Sequence, residues 1–310
     1  MRKSALTAIT VLSAGVAVLL TPGMSPAKPK AAADWQQVGY DLQSGISGLA
    51  VASRSGDTFS ALVVRDNKKP GQNRIAKVTY QQGRTPDVTP LAWQGGAEPV
   101  DLEALDRVPG TKDEYVAVAS RGLAYHLKTT DAGEAVEVLD ISPLPAIGHG
   151  DDFESFTLTA RNGKLAALWA DRGAGDRPAT LYAAPFSINS YGQSTFGAVS
   201  KTAFRTAYPS GDVRHASDIE VTKSGRVLIS SASDAGDDGP FDSAVSEAGR
   251  LTVADTGKVR LSLAKSPKLL EKFTGHKIEA LHCVPGSDLA ALGTDDENAG
   301  GAVTTARFCD

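Results

Sequence analysis

Five segments of this chain share one pattern: ISGLAVAS from Ile46, DLEALDRV from Asp101, DFESFTLT from Asp152, DIEVTKSG from Asp218 and KIEALHCV from Lys277. A turn containing Gly, Asp or Asn follows each, and then a strand that ends in polar residues, at Asp66, Arg121, Arg172, Asp234 and Asp296. Two weaker strand candidates come next in most repeats, such as Leu123 to Lys128 and Ala135 to Ile141, so the unit is four strands. The anchor positions Ser47, Glu103, Glu154, Glu220 and Glu279 are 56, 51, 66 and 59 residues apart, a spacing that suits one four-stranded blade per repeat. Alternation at period two dominates, and only Pro267 to Phe273 carries a short helical pattern. The chain therefore reads as all-β, a five-bladed β-propeller forming one domain over residues 34–310. A sixth blade would need a degenerate repeat inside Ala183 to Tyr208. The last repeat runs out after three strands, and an orphan strand candidate, Trp35 to Leu42, precedes the first. Pairing these two closes the ring and removes the edges of an open array.

Ahead of the repeats stand Arg2 and Lys3, an apolar run from Ala5 to Leu20, and small residues at Ser25 to Ala27 and Ala31 to Ala33. That is the layout of a signal peptide over residues 1–33, cleaved after Ala27 or Ala33, and it predicts a secreted protein. The run is too short to span a bilayer, which needs roughly 20 residues. Residues 1–33 carry four basic residues and no acid, so their removal takes the formal charge from −4 to −8. An acidic chain disfavours nucleic acid and anionic membrane as partners, and a monomer acting on a small molecule is expected. In an oxidising compartment the two cysteines, Cys283 and Cys309, read as a disulfide.

Chemistry is concentrated in the first strand of each repeat, which lines the central channel of a propeller. Ser47, Glu103, Glu154, Glu220 and Glu279 would then face one another. Carboxylates crowded in this way repel unless a cation sits among them, and calcium, which accepts six to eight oxygens at about 2.3 to 2.6 Å, suits a hydroxyl and several carboxylates. The other resolution is pairing with nearby bases such as His215, His276 and Lys277. Asp101, Asp152 and Asp218 stand two residues before glutamates, and positions two apart share a strand face, so they form a second acidic tier toward the mouth. The same rim collects His149, Arg121, Arg172, Arg214 and His276. Metal and arginines would neutralise an anionic ester, with Asp152, Asp218, His149 and His215 as candidate catalytic acids and bases and Arg121, Arg172, Arg214, His276 and Asp101 as candidate substrate ligands. No nucleophile elbow, phosphate loop or zinc spacing appears, and Trp35, Trp93 and Trp169 read as packing residues.

The run Ser47, Glu103, Glu154 and Glu279 resembles the axial calcium site of the calcium-activated, apyrase-type nucleotidases, five-bladed propellers that hydrolyse nucleoside diphosphates. There the fourth blade contributes a serine; here the aligned residue is Glu220. SGLAVA at Ser47, DLEAL at Asp101 and KIEAL with GTDDENAGG from Lys277 to Gly301 are similar to the secreted bacterial esterase-like phytase propellers. The resemblance implies a propeller with an axial metal. The leading expectation is a calcium-dependent hydrolase of a phosphate ester or related ester. Its rivals are a non-catalytic propeller binding a carbohydrate, peptide or cell-wall component around structural calcium, and a metal-assisted lyase or lactonase on a small metabolite.

Overall fold

The structure is a computed structural model that describes residues 33–310; the signal-peptide reading falls almost wholly outside them. Five sheets, antiparallel but for one outer strand, follow one another along the chain and form the five blades of a propeller. The inner strands are Gly48–Ser55, Leu102–Arg107, Phe153–Arg161, Val213–Val221 and Ile278–Cys283. Blades one and four are simple four-stranded meanders. In blade two the outermost strand, Ala92–Gln94, comes from the chain before the inner strand and runs parallel to Ala135–Pro143. Blade five holds three strands after Lys277, and its fourth is Gln36–Gly39, antiparallel to Gly301–Arg307. The N-terminal strand thus closes the ring, as the orphan strand implied.

Ala183 to Tyr208 hides no sixth blade. Ala179–Ile188 is the third strand of blade three, and two short segments, Ser194–Phe196 and Ser200–Phe204, both pair with it to finish the same sheet. Nor is Pro267 to Phe273 helical. It belongs to the strand Val259–Thr274, the outermost of blade four, whose half-exposed apolar residues pack on the blade three to four seam.

The core is not central. Five apolar clusters each lie between two neighbouring blades, for example Leu62, Val64, Leu102 and Tyr115 between blades one and two, and Leu168, Leu181, Ile219 and Ile229 between blades three and four. The sandwich of sheet on sheet is therefore repeated around a ring, which leaves the axis to whatever the inner strands point there. Blades approach closely at that axis. A Cβ at Gly48 would stand 2.7 Å from the Leu105 amide nitrogen of the next blade, so that position takes glycine. Trp169 is fully buried and stacks on Tyr182 with centroids 5.5 Å apart, a packing role as expected. Cys283 and Cys309 are disulfide-bonded with Cα atoms 5.8 Å apart, tying the end of the chain to the fifth inner strand. Among the described residues no helix is long and apolar enough to cross a membrane.

Candidate functional site

The inner strands of blades two, three and five each carry a one-residue bulge near the start. In blade two Leu102 pairs with Ala119 and Ala104 with Val118, so Glu103 is the extra residue. Glu154 and Glu279 are skipped in the same way in blades three and five. A bulge aims its extra side chain off the regular alternation, and here the aim is the axis: one carboxylate oxygen from each of Glu103, Glu154 and Glu279 lies within 4.8 Å of the others. Blade one offers Ser47 directly before the pair Gly48 and Val64.

Blade four does not offer Glu220. Its irregularity falls between Arg214 and Asp218, before the pair Asp218 and Ser230, which puts Ser217 in the bulge. The contacts one layer deeper agree. Thr157 Oγ1 lies 2.9 Å from Asp106 and 3.4 Å from Glu220, and His282 Nε2 lies 3.1 Å from Asp106. Asp106, Thr157, Glu220 and His282 therefore share a level, and three residues back from each stand Glu103, Glu154, Ser217 and Glu279. The axial set is Ser47, Glu103, Glu154, Ser217 and Glu279. Matching DIEV to DLEA by letter slips the fourth repeat by three residues, because letters alone do not reveal where a bulge falls.

The electrostatics of this set are unbalanced. Burial, then the charges of Glu154 and Glu279, push the Glu103 carboxyl well above its ordinary range. Burial likewise raises Glu154 to about 7, although Arg214 and Arg172 pull it down. Arg214 reaches in with Nη1 2.7 Å from Glu279 and 3.5 Å from Glu154, while Nη2 lies 2.9 Å from Asp234. Burial works against its charge, yet those carboxylates hold Arg214 protonated more firmly than a free arginine. Arg172 bridges Asp152 at 3.2 Å and Glu154 at 3.1 Å. The Lys277 ammonium lies 3.2 Å from Glu279 and also contacts Glu297. On the far side of the mouth Lys68 lies 2.9 Å from Asp101. Asp66, Asp101 and Glu103 form a second group of carboxyls within 4.8 Å, and burial with the charge of Glu279 raises Asp66 to about 6. Carboxyls outnumber cations at this mouth, and the hydroxyl oxygens of Ser47 and Ser217 are buried without a hydrogen-bond partner, as is that of Ser155 next to Glu154.

The predicted rim residues divide. Asp101, Asp152, Arg172 and Arg214 do surround the axial set. Asp101 holds a left-handed backbone, φ 67°, with its carboxylate accepting from Ser120 Oγ at 2.5 Å. Asp218 does not reach the mouth: it is buried and accepts from the amides of Ile219 and Leu281, joining blade four to blade five. His215 is buried between other partners, with Nε2 2.9 Å from the Gly175 carbonyl and Nδ1 3.2 Å from the Thr206 amide. Its engaged ring nitrogens and a pKa lowered by burial make it a neutral structural residue. His276 lies tilted by 33° against Trp35, with ring centroids 4.4 Å apart, and bonds Asp296 at 2.7 Å, bracing the closing strand. His149 and Arg121 are exposed on their loops and have no partner at the ring. Sequence reading passed over Ser217, Lys68 and Glu297, and in the deeper layer Asp106, Thr157 and His282. An offset of three from each true anchor would have found the deeper four, had the bulge been known.

No protein-family model matches the sequence, and no curated protein matches it closely enough to count as a relative. Solved structures do share the fold. A glycoside hydrolase superposes with a TM-score of 0.51 at 10% identity over 87% of this chain, which spans 61% of the length of that protein. An α-L-arabinofuranosidase from Podospora anserina gives 0.47 at 12% identity, covering 89% of this chain and 97% of that one. An α-L-arabinanase from Penicillium chrysogenum gives 0.40 at 11%, covering 89% and 97%. At such identities the likeness is one of architecture: the chain is a five-bladed propeller.

Proposed function

We propose that the chain is a secreted, divalent-cation-dependent hydrolase that works at the axial mouth, with calcium as its ion and a phosphate ester or related ester as its substrate. The observation that carries this reading is the axial set itself: three glutamate oxygens within 4.8 Å and two buried serine hydroxyls without partners. An all-oxygen donor set of this kind fits a hard cation and not zinc or copper. A serine from the fourth blade, Ser217, supports this reading, because the axial pattern of apyrase-type nucleotidases has a serine in that blade.

A bound divalent cation supplies Lewis-acid polarisation of a substrate oxygen and lowers the pKa of water. The protein's own part is positioning. The axial glutamates and serines would hold the cation, and Arg172 and Arg214, which bond Glu154 and Glu279 at the rim, would be the groups that reach a substrate oxyanion. Asp152, held 3.2 Å from Arg172 at the rim, is placed to accept a proton from water there. The test is turnover of nucleotides, aryl phosphates and lactones by the mature chain, with chelator and with calcium, magnesium or zinc restored. Turnover that needs calcium and is lost in Glu154→Gln supports the reading; a calcium-dependent rise in melting temperature without turnover of any of these leaves a binding propeller.

A second reading, metal-free glycoside hydrolysis, is favoured by the Glu154 carboxyl at about 7, where a general acid works at neutral pH. The fold's solved neighbours act on carbohydrates according to their names. Hydrolysis of aryl arabinosides or galactosides undiminished by chelator would select it.

A further inference from the structure

Three residues deeper than the axial set, the inner strands place a second group of buried polar side chains around a cavity of about 390 Å³. Asp106, Glu220 and His282 line it together with Arg107, Leu158 and the turn Val108 to Thr111. Asp106 is saturated. Its Oδ1 accepts from the Arg107 amide and from His282 Nε2, and its Oδ2 from the Leu158 amide and Thr157 Oγ1. His282 is saturated too, since its Nδ1 faces the Cys283 carbonyl at 2.9 Å and its Nε2 faces Asp106 at 3.1 Å. Two acceptors on one imidazole make it an imidazolium with no proton left to offer. Arg107 gives Nη1 to the Ala52 carbonyl and Nη2 to the carbonyls of Thr111 and Lys112, while its Nε is buried without a partner.

Glu220 is different. Its side chain is buried, with the residue 7% exposed, and among the described residues the one amide reaching it is that of Cys283, at 3.3 Å. Thr157 Oγ1 stands 3.4 Å away, but its single proton goes to Asp106 at the shorter distance. A carboxylate has about four acceptor positions, and here one donor serves them. Among the described residues no lysine or arginine bonds it, while Asp106 and His282 already offset one another. The wall therefore offers the unfilled acceptor positions of Glu220 beside the apolar surfaces of Val108, Pro109 and Leu158, with the Arg107 guanidinium on the same wall but not bonded to that carboxylate.

We propose that this cavity is a second ligand site, separate from the axial mouth, which takes the primary ammonium group of a small aliphatic amine on Glu220 and its chain against Val108, Pro109 and Leu158. The carboxylate supplies the charge-assisted hydrogen bond that fixes the ammonium, and the Asp106 and His282 pair holds the blades that carry Glu220 and Leu158 at this spacing.

The test is a titration of the mature, isotope-labelled chain with n-butylammonium chloride at about pH 8, where Glu220 is ionised, following the amide resonances of Thr111, Leu158 and Cys283. Saturable shifts are expected, with none from n-butanol or from calcium chloride at those amides, and Glu220→Gln should weaken binding about tenfold or more. Pro109→Trp, which fills the cavity entrance without touching a hydrogen bond, should abolish it and serves if Glu220→Gln does not fold. Absence of saturable shifts, equal shifts with n-butanol, the same response to calcium, or binding unchanged in either variant would overturn the proposal.

Discussion

Arg214 of blade four lies 2.7 Å from Glu279 of blade five, across the mouth of the channel, so a protein cation already stands where the glutamates converge. Removing one partner of a buried ion pair leaves the other uncompensated, at a cost of about 3 to 5 kcal/mol. Arg214→Gln should therefore lower the melting temperature sharply in chelator. Calcium should recover most of that loss, because it supplies the missing charge. Thermal unfolding with and without chelator measures both, and a loss that calcium does not repair would mean Arg214 holds the blades for another reason.

Ser217 and Glu220 compete for one place in the ring, and only Ser217 occupies the bulge. Ser217→Ala should weaken calcium binding severalfold, while Glu220→Gln should leave it nearly unchanged. Calorimetric titration of the two variants distinguishes them, and the reverse order would restore the register read from the letters.

The metal-free protein should lose stability as pH rises, the opposite of ordinary acid denaturation. Glu154 and Glu220 are raised by burial to about 7 in the folded chain, above the carboxyl's ordinary value of 4.5. Each favours folding when protonated, so that contribution is full below 4.5 and is lost as pH climbs through about 7. Burial opposes the charge on His282, but Glu220 and Asp106 hold it at about 9 against 6.5. Its contribution is full below 6.5 and lost through 9. In chelator the melting temperature should be higher near pH 5.5 than near pH 8.5. Calcium should narrow the difference by replacing the protons on the axial glutamates, and a flat or inverted profile in chelator would contradict the assigned shifts.

The disulfide closes a loop of 26 residues at the seam where the ring is sealed. Cys283→Ala with Cys309→Ala should cost about 3 kcal/mol of stability by freeing the unfolded chain. Denaturant unfolding measures it, and the effect should be additive with calcium removal, since neither cysteine touches the axial set.

The sequence by itself pointed to five blades, their order and the strand that seals them, while the pairing of Ser194–Phe196 and Ser200–Phe204 with Ala179–Ile188 excluded the sixth blade that it had left open. Period-two alternation and a fivefold repeat record burial that recurs locally, and Trp35 to Leu42 was legible as the missing fourth strand of a repeat that stops at Cys309. It also put Glu103, Glu154 and Glu279 at equivalent places in their repeats, and they converge on one axis because the bulge falls at that place in all three. Only the tertiary structure decided that the fourth blade presents Ser217. The bulge shifts side-chain direction by one residue, and its position depends on hydrogen bonds to the second strand that the letters do not contain. Tertiary packing alone also turned His215 away into the wall between blades three and four, fixed Asp218 on the amide of Leu281, and brought Asp106, Glu220 and His282 from three blades to one cavity. The contacts of His215 reach 9 and 40 positions along the chain, and those of Asp218 with Leu281, Glu220 with Cys283 and Asp106 with His282 reach 63, 63 and 176, so no local pattern specifies them.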